Sequence, residues 1–309
     1  MIEITIDGKK ISTQENKTIL EVAMDSGIFI PHICYDKFLS PVGRCKVCIV
    51  KADGRFVTSC NTKICDGMVI EVCSKELEEI RDTNIKLMLE YVDAQRLPQH
   101  LRSLLKSPPQ TYGEKLAENV RNPFFSIDKS LCFLCGKCIS ACSNLQGRFI
   151  YNFKNKGENL TLIVGKDESF EKAGCEFCGT CTDFCPTGAI SDKNKIHDNT
   201  QKIETICSYC GVGCQIELSS DGRQIYSRPV QNGNEYQPLC VKGRYGHSYI
   251  LHEDRLKNPM VRRYLIEGKD KFDAKPDEMS LVETSWEEAL EIVSEKLIEI
   301  FKTFGSDAL

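Results

Sequence analysis

The sequence lacks any long apolar run and any excess of basic residues. No stretch approaches the roughly 18 consecutive apolar residues that a membrane-spanning helix needs. The amino terminus, MIEITIDGKKIS, alternates apolar and polar residues as a strand does and has no signal-peptide core. The net charge of −4 provides no basic field for nucleic acid. These absences predict a cytoplasmic protein with no membrane span and no nucleic-acid partner.

Cysteine, in contrast, is abundant, with 18 residues in a chain expected to lie in a reducing compartment. Such a compartment disfavours structural disulfides, so thiolates that hold a metal or an iron–sulfur cluster are the usual alternative. Residues 75–120 contain no cysteine, and sixteen of the 18 fall into four groups outside that stretch. The spacing within each group decides what the thiolates can hold.

The residues between the cysteines predict a mixture of strands and helices. In the first 80 residues, the turn Asp7-Gly8 joins two strands and Gly27 ends a helix. The predicted strands cover residues 4–6, 9–11, 47–51, 55–58 and 68–72, and the helix covers 18–26.

Two further helical segments are predicted. Apolar residues at helical spacing over 75–120 indicate a helical connector, broken around Pro98 and Pro108-Pro109. Residues 285–304 predict a helix that begins with a capping box of Ser285 and Glu288. The apolar stripe of this helix comprises Leu290, Val293, Leu297, Ile300, Phe301 and Phe304, and Gly305 follows it.

The first cysteine group has the spacing C-x10-C-x2-C-x11-C. Its members are Cys34, Cys45, Cys48 and Cys60. One close pair with two outlying cysteines suits a two-iron cluster, and Gly43 lets the loop backbone approach it. The alternative is a zinc knuckle, although zinc sites usually combine two short hooks.

The second and third groups repeat the pattern C-x2-C-x2-C-x3-C with a period of 43 residues. Pro186 follows the third group, which completes the run typical of bacterial two-cluster ferredoxins, where the fourth cysteine reaches the other cluster. The pattern therefore assigns one 4Fe–4S cluster to Cys132, Cys135, Cys138 and Cys185, and another to Cys175, Cys178, Cys181 and Cys142. Structural zinc is the alternative here.

The fourth group has the spacing C-x2-C-x3-C-x25-C. It comprises Cys207, Cys210, Cys214 and Cys240. Gly211 and Gly213 favour a tight loop around a 4Fe–4S cube, and a zinc ribbon is the alternative.

Two cysteines and the five histidines of the chain lie outside these groups. We expect Cys65 and Cys73 to be small buried hydrophobic residues. His32 and His100 lack a matching cysteine partner, so we expect a structural or solvated role for each.

In order along the chain, these groups resemble a known architecture. The segments IPHICYDKFLSPVGRCKVCIV and TSCNTKICDGMVI resemble the 2Fe–2S domain of the large iron–sulfur subunit of respiratory complex I. Iron-only hydrogenases and NAD-linked formate dehydrogenases share that domain. The segments CFLCGKCISACSNLQG and CEFCGTCTDFCPTGAI resemble their two-cluster ferredoxin module.

The remaining residues separate these families. The segments CSYCGVGCQIEL, PLCVKGRYGHSYILHEDRLKNPMVRR and SWEEALEIVSEKL are similar to the opening of the molybdopterin-dependent formate dehydrogenase catalytic subunit. Nothing resembles the catalytic-cluster domain of an iron-only hydrogenase.

This resemblance implies a modular α+β iron–sulfur protein. Its expected parts are a β-grasp 2Fe–2S ferredoxin domain (1–80), a helical connector (81–122), a two-cluster 4Fe–4S ferredoxin domain (123–198), a small 4Fe–4S domain of the molybdopterin oxidoreductase type (199–260) and the start of a truncated molybdopterin oxidoreductase domain (261–309).

The resemblance also implies cofactors and partners. Cys207, Cys210, Cys214 and Cys240 would hold a 4Fe–4S cluster beside a pterin, with Lys242 between the two. Together with the other groups this gives one 2Fe–2S and three 4Fe–4S clusters. The implied partners are a flavin- and NAD(P)-binding subunit, a small 2Fe–2S subunit and ferredoxin.

The sequence departs from the family in two respects. Related proteins usually carry a further cluster bound by a His and three Cys, and the absence of cysteine from residues 75–120 predicts that it is missing. The family's molybdenum ligand and its neighbouring His and Arg would lie beyond Leu309. We therefore expect no complete active site and no catalytic residue here, and a molybdenum or tungsten bis-pterin only in a longer chain or a partner.

Two functional hypotheses follow. The first is the electron relay of a cytoplasmic NAD-linked formate dehydrogenase, in which electrons from formate pass through 4Fe–4S and 2Fe–2S clusters to a flavin NAD module. The second is a pterin-free iron–sulfur subunit of an electron-bifurcating NAD(P)/ferredoxin transhydrogenase or hydrogenase complex.

Overall fold

The computed structural model describes residues 1–89, 92, 99, 120–156, 160–194, 201–233 and 235–308. The chain divides into two compact units, Met1–Ser248 and Tyr249–Leu309. Within the described ranges, no helix combines the length and apolar content that crossing a membrane requires.

The first unit contains most of the regular structure. Its described strands are β1 (Ile2–Ile6), β2 (Lys9–Thr13), β3 (Ile49–Ala52), β4 (Arg55–Thr58), β5 (Val69–Glu71), β6 (Val120–Arg121), β7 (Phe125–Ile127), β8 (Tyr151–Lys154), β9 (Thr161–Val164), β10 (Ile190–Asp192), β11 (Gln201–Ile206), β12 (Gln215–Ser220), β13 (Ile225–Pro229), β14 (Gln231–Asn232) and β15 (Glu235–Tyr236). Its described α-helices are α1 (Ile19–Asp25), α2 (Lys75–Leu89), α3 (Lys137–Ser140), α4 (Thr180–Asp183) and α5 (Val241–Tyr245).

The first strands form a mixed sheet in the order β2-β1-β5-β3-β4. Strands β1 and β5 are parallel, and the other neighbours are antiparallel. Asp7 (φ 45°) and Gly8 (φ 80°) both take the left-handed conformation that a two-residue hairpin turn requires, which confirms the predicted hairpin. The other predicted strands are confirmed to within two residues at each end.

Helix α1 packs its apolar side against this sheet. Ile19 and Leu20 share a buried core with Ile4, Ile6 and Ile70. Thr18 and Glu21 form a complete capping box at its start, so the predicted helix begins one residue later than expected.

Helix α2 confirms the first part of the helical connector. It is held to the sheet by Arg81, whose Nη2 donates to the Ile49 carbonyl oxygen at 2.6 Å. Ile85 and Leu89 pack in one cluster with Cys45. The predicted breaks at Pro98 and Pro108-Pro109 lie outside the described residues.

The two copies of the cysteine run fold alike. Helices α3 and α4 each follow a left-handed glycine, Gly136 (φ 81°) and Gly179 (φ 75°). After α3 the backbone continues as a π-helical turn over Ala141–Leu145. Strands β7 and β10 pair antiparallel beside these runs, and β8 pairs with β9.

Residues 201–248 begin with an antiparallel meander of β11, β12 and β13. Helix α5 begins at Cys240, which is its N-cap residue. The fourth cysteine group is therefore divided between the two ends of this segment.

The second unit contains the strand pair β16 (Met260–Arg262) and β17 (Leu281–Glu283), the short helix α6 (Arg263–Ile266) and the long helix α7 (Trp286–Phe304). The limits predicted for α7 are confirmed, but only half of its capping box forms. Glu288 donates its backbone N–H to Ser285 Oγ at 3.1 Å, while its carboxylate accepts from the Thr284 hydroxyl instead of the Ser285 backbone.

Candidate metal centres

The first cysteine group lies buried beside the first sheet, and its four thiols are in mutual contact. Cys34 hydrogen-bonds with Cys45 and with Cys60, and Cys48 hydrogen-bonds with Cys60. These bonds lower the pKa of Cys34 to about 2, chiefly through Cys45, and the pKa of Cys48 to about 6, chiefly through Cys60. They raise the pKa of Cys45 and of Cys60, the partners that keep their protons. These contacts therefore favour the thiolate, the form that binds metal, at Cys34 and Cys48 and the protonated thiol at Cys45 and Cys60.

The loop around this group needs glycine at one position. Gly43 has a φ of 64°, and a Cβ there would lie 2.8 Å from Asn61 Nδ2. The backbone groups of Cys45 and Arg44 hydrogen-bond to the Cys34 sulfur and lower its pKa further. As expected, Gly43 lets the backbone approach the thiols.

The second and third groups interleave in space. The Cys138 thiol interacts electrostatically with those of Cys135, Cys132 and Cys185, and less strongly with that of Cys181. Cys185 and Cys181 belong to the other run. In the same way, the Cys181 thiol interacts with Cys178, Cys175 and Cys142. The fourth cysteine of each run thus lies beside the first three cysteines of the other.

Burial keeps these thiols from carrying charge without a counter-ion. Loss of solvent raises the pKa of Cys135 to about 12 and that of Cys175 to about 11. It also raises the pKa of Cys138 and Cys181 well above the ordinary value. A positively charged ligand would offset this desolvation.

Peptide N–H groups point at several of the sulfurs. Phe177 donates to Cys175 Sγ at 3.4 Å and Ile190 to Cys185 Sγ at 3.3 Å. In the two copies, Leu134 (φ 59°) and Phe177 (φ 54°) take the left-handed conformation at the same place in the run. Thiolate ligands with amide donors are the surroundings that iron–sulfur clusters require, so the residues present fit such a group.

The fourth group is more open. Cys207 is buried and Cys214 half-buried, while Cys210 and Cys240 are exposed. Loss of solvent, with the charges of the other three thiols, raises the pKa of Cys214, so the four are near one another. Lys242, in the first turn of α5, is exposed.

Of the two glycines expected to form a tight loop here, Gly213 has the left-handed conformation and Gly211 does not. Gly213 has a φ of 65°, as a tight loop requires, whereas a Cβ at Gly211 would meet nothing within 4 Å. Gly243 lies close to the thiols, since a Cβ there would be 3.6 Å from Cys207 Sγ.

An ionic cluster that sequence reasoning missed joins the third and fourth groups. Arg244, whose side chain is 1% exposed, pairs with Asp183 at 2.7 Å and with Asp192 at 2.6 Å. Tyr236 donates to Asp183 at 2.6 Å and Tyr226 to Asp192 at 2.8 Å. Asp183 stands between Cys181 and Cys185, and Arg244 follows Cys240 by four residues. The one sign of this ionic cluster in the sequence was Arg244 itself, which lies close to the predicted ligand Cys240 in the segment CVKGRY.

A second ionic contact joins the first and second groups. Lys137 Nζ lies 3.3 Å from Asp36 Oδ2, and both side chains are less than one quarter exposed. Arg44 Nε donates to the Leu134 carbonyl oxygen at 2.7 Å. Together with the Arg244 cluster, these contacts tie all four cysteine-bearing segments to a neighbouring one by charged side chains.

The two cysteines and one of the histidines outside the four groups can be compared with their predictions. Cys65 and Cys73 are exposed, so the expectation that they are buried is wrong. His32 is half-buried, and its Nδ1 lies 2.8 Å from the Ile30 carbonyl oxygen, which is a structural role. His100 lies outside the described residues. Among the described His, Cys, Asp and Glu side chains, no group of three is positioned to hold one metal ion.

Comparison with known families identifies the class of protein. Residues 1–75 match the 2Fe-2S iron-sulfur cluster binding domain, residues 170–191 the 4Fe-4S binding domain and residues 200–252 the molybdopterin oxidoreductase Fe4S4 domain. The chain is therefore an iron–sulfur protein with the Fe4S4 domain of the molybdopterin oxidoreductases.

Individual relatives narrow the description. The chain is 35% identical over 282 residues to the NADPH-Fe(3+) oxidoreductase subunit alpha of Geobacter sulfurreducens, an alignment that covers 85% of this chain and 33% of that protein. It is 28% identical to one subunit of an NADH-quinone oxidoreductase of Rhizobium meliloti, covering 96% of this chain and 35% of that protein. It is 25% identical to a Staphylococcus aureus protein named "Putative formate dehydrogenase", covering 99% of this chain and 35% of that protein.

The chain thus spans about a third of the length of the curated relatives that it matches. Among solved structures, the NAD+-reducing [NiFe]-hydrogenase in the H2-reduced state shares its fold, with a TM-score of 0.51, 22% identity and coverage of 62% of this chain and 88% of that chain. The predicted resemblance to complex I and formate dehydrogenase proteins is confirmed by these relatives. The hydrogenase structure shows a shared fold.

Proposed function

We propose that this chain is the electron relay of a larger cytoplasmic oxidoreductase, with one 2Fe–2S and three 4Fe–4S clusters. The first group would hold the 2Fe–2S cluster, and each of the other three quartets would hold one 4Fe–4S cluster, with the fourth cysteines of the second and third groups exchanged. When bound, such clusters accept and release single electrons. The β-grasp assignment of residues 1–80 and the five-part domain division belong to this proposal.

The interleaving of the two ferredoxin runs is the observation that carries this proposal. Cys138 is grouped with Cys185, and Cys181 with Cys142, as crossed ligation requires. In these two runs, neighbouring residues bury Cys138, Cys142 and Cys181. Phe177 and Ile190 donate N–H groups to thiols, and burial and amide donors would together set the potential at which a bound cluster is reduced.

Formate is the proposed electron source, with NAD the acceptor through a flavin-binding partner. This specificity is supported by the relatives with formate dehydrogenase names and by the Fe4S4 domain match. Oxidation of formate to carbon dioxide releases one proton and two electrons. The molybdenum or tungsten bis-pterin for that reaction would be held outside these residues, beside Lys242.

A second candidate is favoured by the higher identity, 35%, to the subunit named for NADPH-Fe(3+) oxidoreduction. In that case the chain would be a pterin-free iron–sulfur subunit that exchanges electrons between NAD(P) and ferredoxin. Iron with flavin but without molybdenum or tungsten in the native complex would support this candidate.

Dye reduction by the anaerobically purified native complex tests the proposal. We expect formate to reduce a viologen dye and the Cys135→Ala variant to lose NAD reduction, whereas the matched Cys65→Ala variant, at an exposed cysteine, keeps it. A dye that stays oxidised with formate but is reduced with NADH would contradict the formate assignment.

A further inference from the structure

Tyr151 places a hydroxyl group on one of the buried thiols. It is the first residue of β8 and is 3% exposed. Its hydroxyl donates to Cys181 Sγ at 3.2 Å. The ring is fixed by an edge-on contact with Phe170, with 6.0 Å between the ring centroids. The hydroxyl is therefore held in place by packing.

The internal repeat provides a built-in comparison for this contact. Cys138 stands 43 residues before Cys181 and occupies the same place in its run. The two residues are buried alike, at 8% and 6% exposure. Each run also receives a peptide N–H on its fourth cysteine, from Ile150 to Cys142 and from Ile190 to Cys185. The amide donors of the two copies are therefore matched at this position.

The two copies differ at the residue that follows each of these isoleucines. Tyr151 follows Ile150, whereas Ser191 follows Ile190, and a serine side chain is too short to place its hydroxyl where that of a tyrosine lies. Among the residues that the structure describes, no hydroxyl donates to Cys138 Sγ. Thr180 Oγ1 lies 3.5 Å from Cys178 Sγ in this quartet, and Thr187 Oγ1 lies 3.7 Å from Cys185 Sγ in the other. Each quartet thus has one threonine hydroxyl beside a thiol, and the quartet containing Cys181 has the Tyr151 hydroxyl in addition.

A hydrogen bond to a ligand sulfur stabilises the reduced form of a cluster more than the oxidised form, because reduction adds negative charge to the sulfurs. Resting on the cluster assignment proposed above, we propose that Tyr151 makes the 4Fe–4S cluster held by Cys142, Cys175, Cys178 and Cys181 the more easily reduced of the ferredoxin pair. At equilibrium an electron shared by the pair then resides mainly on this quartet. The same quartet adjoins the Arg244 ionic cluster through Asp183.

The Tyr151→Phe variant tests this role, because it removes the hydroxyl and keeps the ring. Redox titration followed by electron paramagnetic resonance should show one 4Fe–4S wave shifted to lower potential. We expect a change of up to about tenfold in its reduction equilibrium, which is ~59 mV for a one-electron couple. The other two 4Fe–4S waves and the 2Fe–2S wave should stay in place.

Tyr226→Phe is the matched control. Tyr226 is also a buried tyrosine of the first unit, at 9% exposure, but its hydroxyl donates to Asp192 Oδ2 at 2.8 Å and contacts no thiol. We expect no 4Fe–4S wave to shift in this variant. The proposal would be overturned if the 4Fe–4S reduction potentials of the wild-type and Tyr151→Phe proteins were identical. It would also be overturned if Tyr226→Phe shifted a 4Fe–4S potential as much as Tyr151→Phe does.

A second measurement leaves the packing intact. Replacing the tyrosines of the wild-type protein with 3-fluorotyrosine makes the phenol a stronger donor, so the same wave should rise in potential. An unchanged wave contradicts the role of Tyr151 even if the phenylalanine variant loses iron. A wild-type protein without any 4Fe–4S signal would instead refute the proposed function.

Discussion

Arg244 is the most enclosed charged residue of the cysteine-bearing unit that the structure describes. Its guanidinium contacts the carboxylates of Asp183 and Asp192 and the hydroxyls of Thr182 and Tyr226. A charge removed from water is stable only while its partners remain, so the three ionic side chains depend on one another. They connect the third cysteine run to the helix that carries Cys240.

The Arg244→Met variant should therefore be strongly destabilised. The change leaves two carboxylates without their partner, and breaking such a buried pair costs about 3–5 kcal/mol. Anaerobic urea denaturation of the cluster-loaded protein measures the loss. The control is Arg228→Met, because Arg228 pairs with Glu217 at 2.8 Å but is 44% exposed, and an exposed pair contributes about 0–1 kcal/mol. Equal effects of the two changes would show that the ionic cluster does not hold the segments together.

Sequence spacing was informative about the cysteines because cluster ligation imposes fixed separations along the chain. It was uninformative about Arg244, since the carboxylates that bury it lie 61 and 52 residues away and are brought to it only by folding. The exposure of Cys65 and Cys73 was misjudged for a related reason. A free cysteine is buried in most proteins, which led to the prediction. Whether a particular cysteine is buried depends on how the chain folds around it.

At the scale of elements, the two ferredoxin runs show how sequence repeats become structural repeats. Gly136 and Gly179 occupy equivalent left-handed positions just before the two short helices. Their surroundings differ, because a Cβ at Gly179 would collide with the Tyr245 hydroxyl, whereas the nearest atom to one at Gly136 is Val42 Cγ1 at 3.1 Å. The absence of a Cβ at each glycine thus makes room for a different neighbouring segment.

Alanine at Gly179 should cost more than alanine at a glycine with the same backbone conformation. Gly174, with φ 76° and open space for 4 Å around an added Cβ, is the matched site. Gly174→Ala should cost about 1–2 kcal/mol from the left-handed backbone alone. Gly179→Ala should add about 1–3 kcal/mol for overpacking, because Tyr245 is stacked on Phe124 with 4.6 Å between ring centroids. Equal urea midpoints for the two variants would contradict this account.

In the second unit, Glu278 links the two ends of the loop between α6 and β17. Its carboxylate accepts from Lys269 Nζ at 2.6 Å and from the Lys275 backbone N–H at 2.9 Å. These bonds, the Lys269 bond first, lower the pKa of Glu278 below its ordinary value of 4.5. A carboxyl group whose pKa is lower in the folded state stabilises the fold above its unfolded pKa, and the contribution disappears as the pH falls through the folded value.

Residues 263–280 should consequently open in acid. Amide hydrogen exchange, corrected for its intrinsic pH dependence, should show protection that begins to fall near the ordinary glutamate pKa of 4.5 and is lost as the pH passes through the lower folded pKa of Glu278. In Glu278→Gln the exchange should be faster at neutral pH, while Glu267→Gln, at a carboxylate that is 39% exposed, should have little effect. Protection that is the same at neutral and acid pH would contradict this role of Glu278.

Helix α7 shows which part of an element the sequence can predict. Its start at Ser285 and its end at Gly305 were predictable, because capping depends on neighbouring residues. The exposure of its apolar stripe was not, because it depends on what covers the helix. Leu290, Val293 and Phe301 are each more than half exposed.

At the scale of the whole molecule, the four thiol quartets lie in one compact unit. The Lys137–Asp36 contact ties the first group to the second, and the Arg244 cluster ties the third to the fourth. Crossed pairing of the fourth cysteines joins the second group to the third. Each neighbouring pair of quartets is therefore fixed by its own contacts, as the proposed chain of electron carriers requires.

Analysis of iron and acid-labile sulfide in the anaerobically purified protein tests the central claim most directly. One two-iron and three four-iron clusters predict about fourteen iron and about fourteen sulfide per chain, with a brown colour. A colourless protein that contains zinc and no acid-labile sulfide would contradict the account.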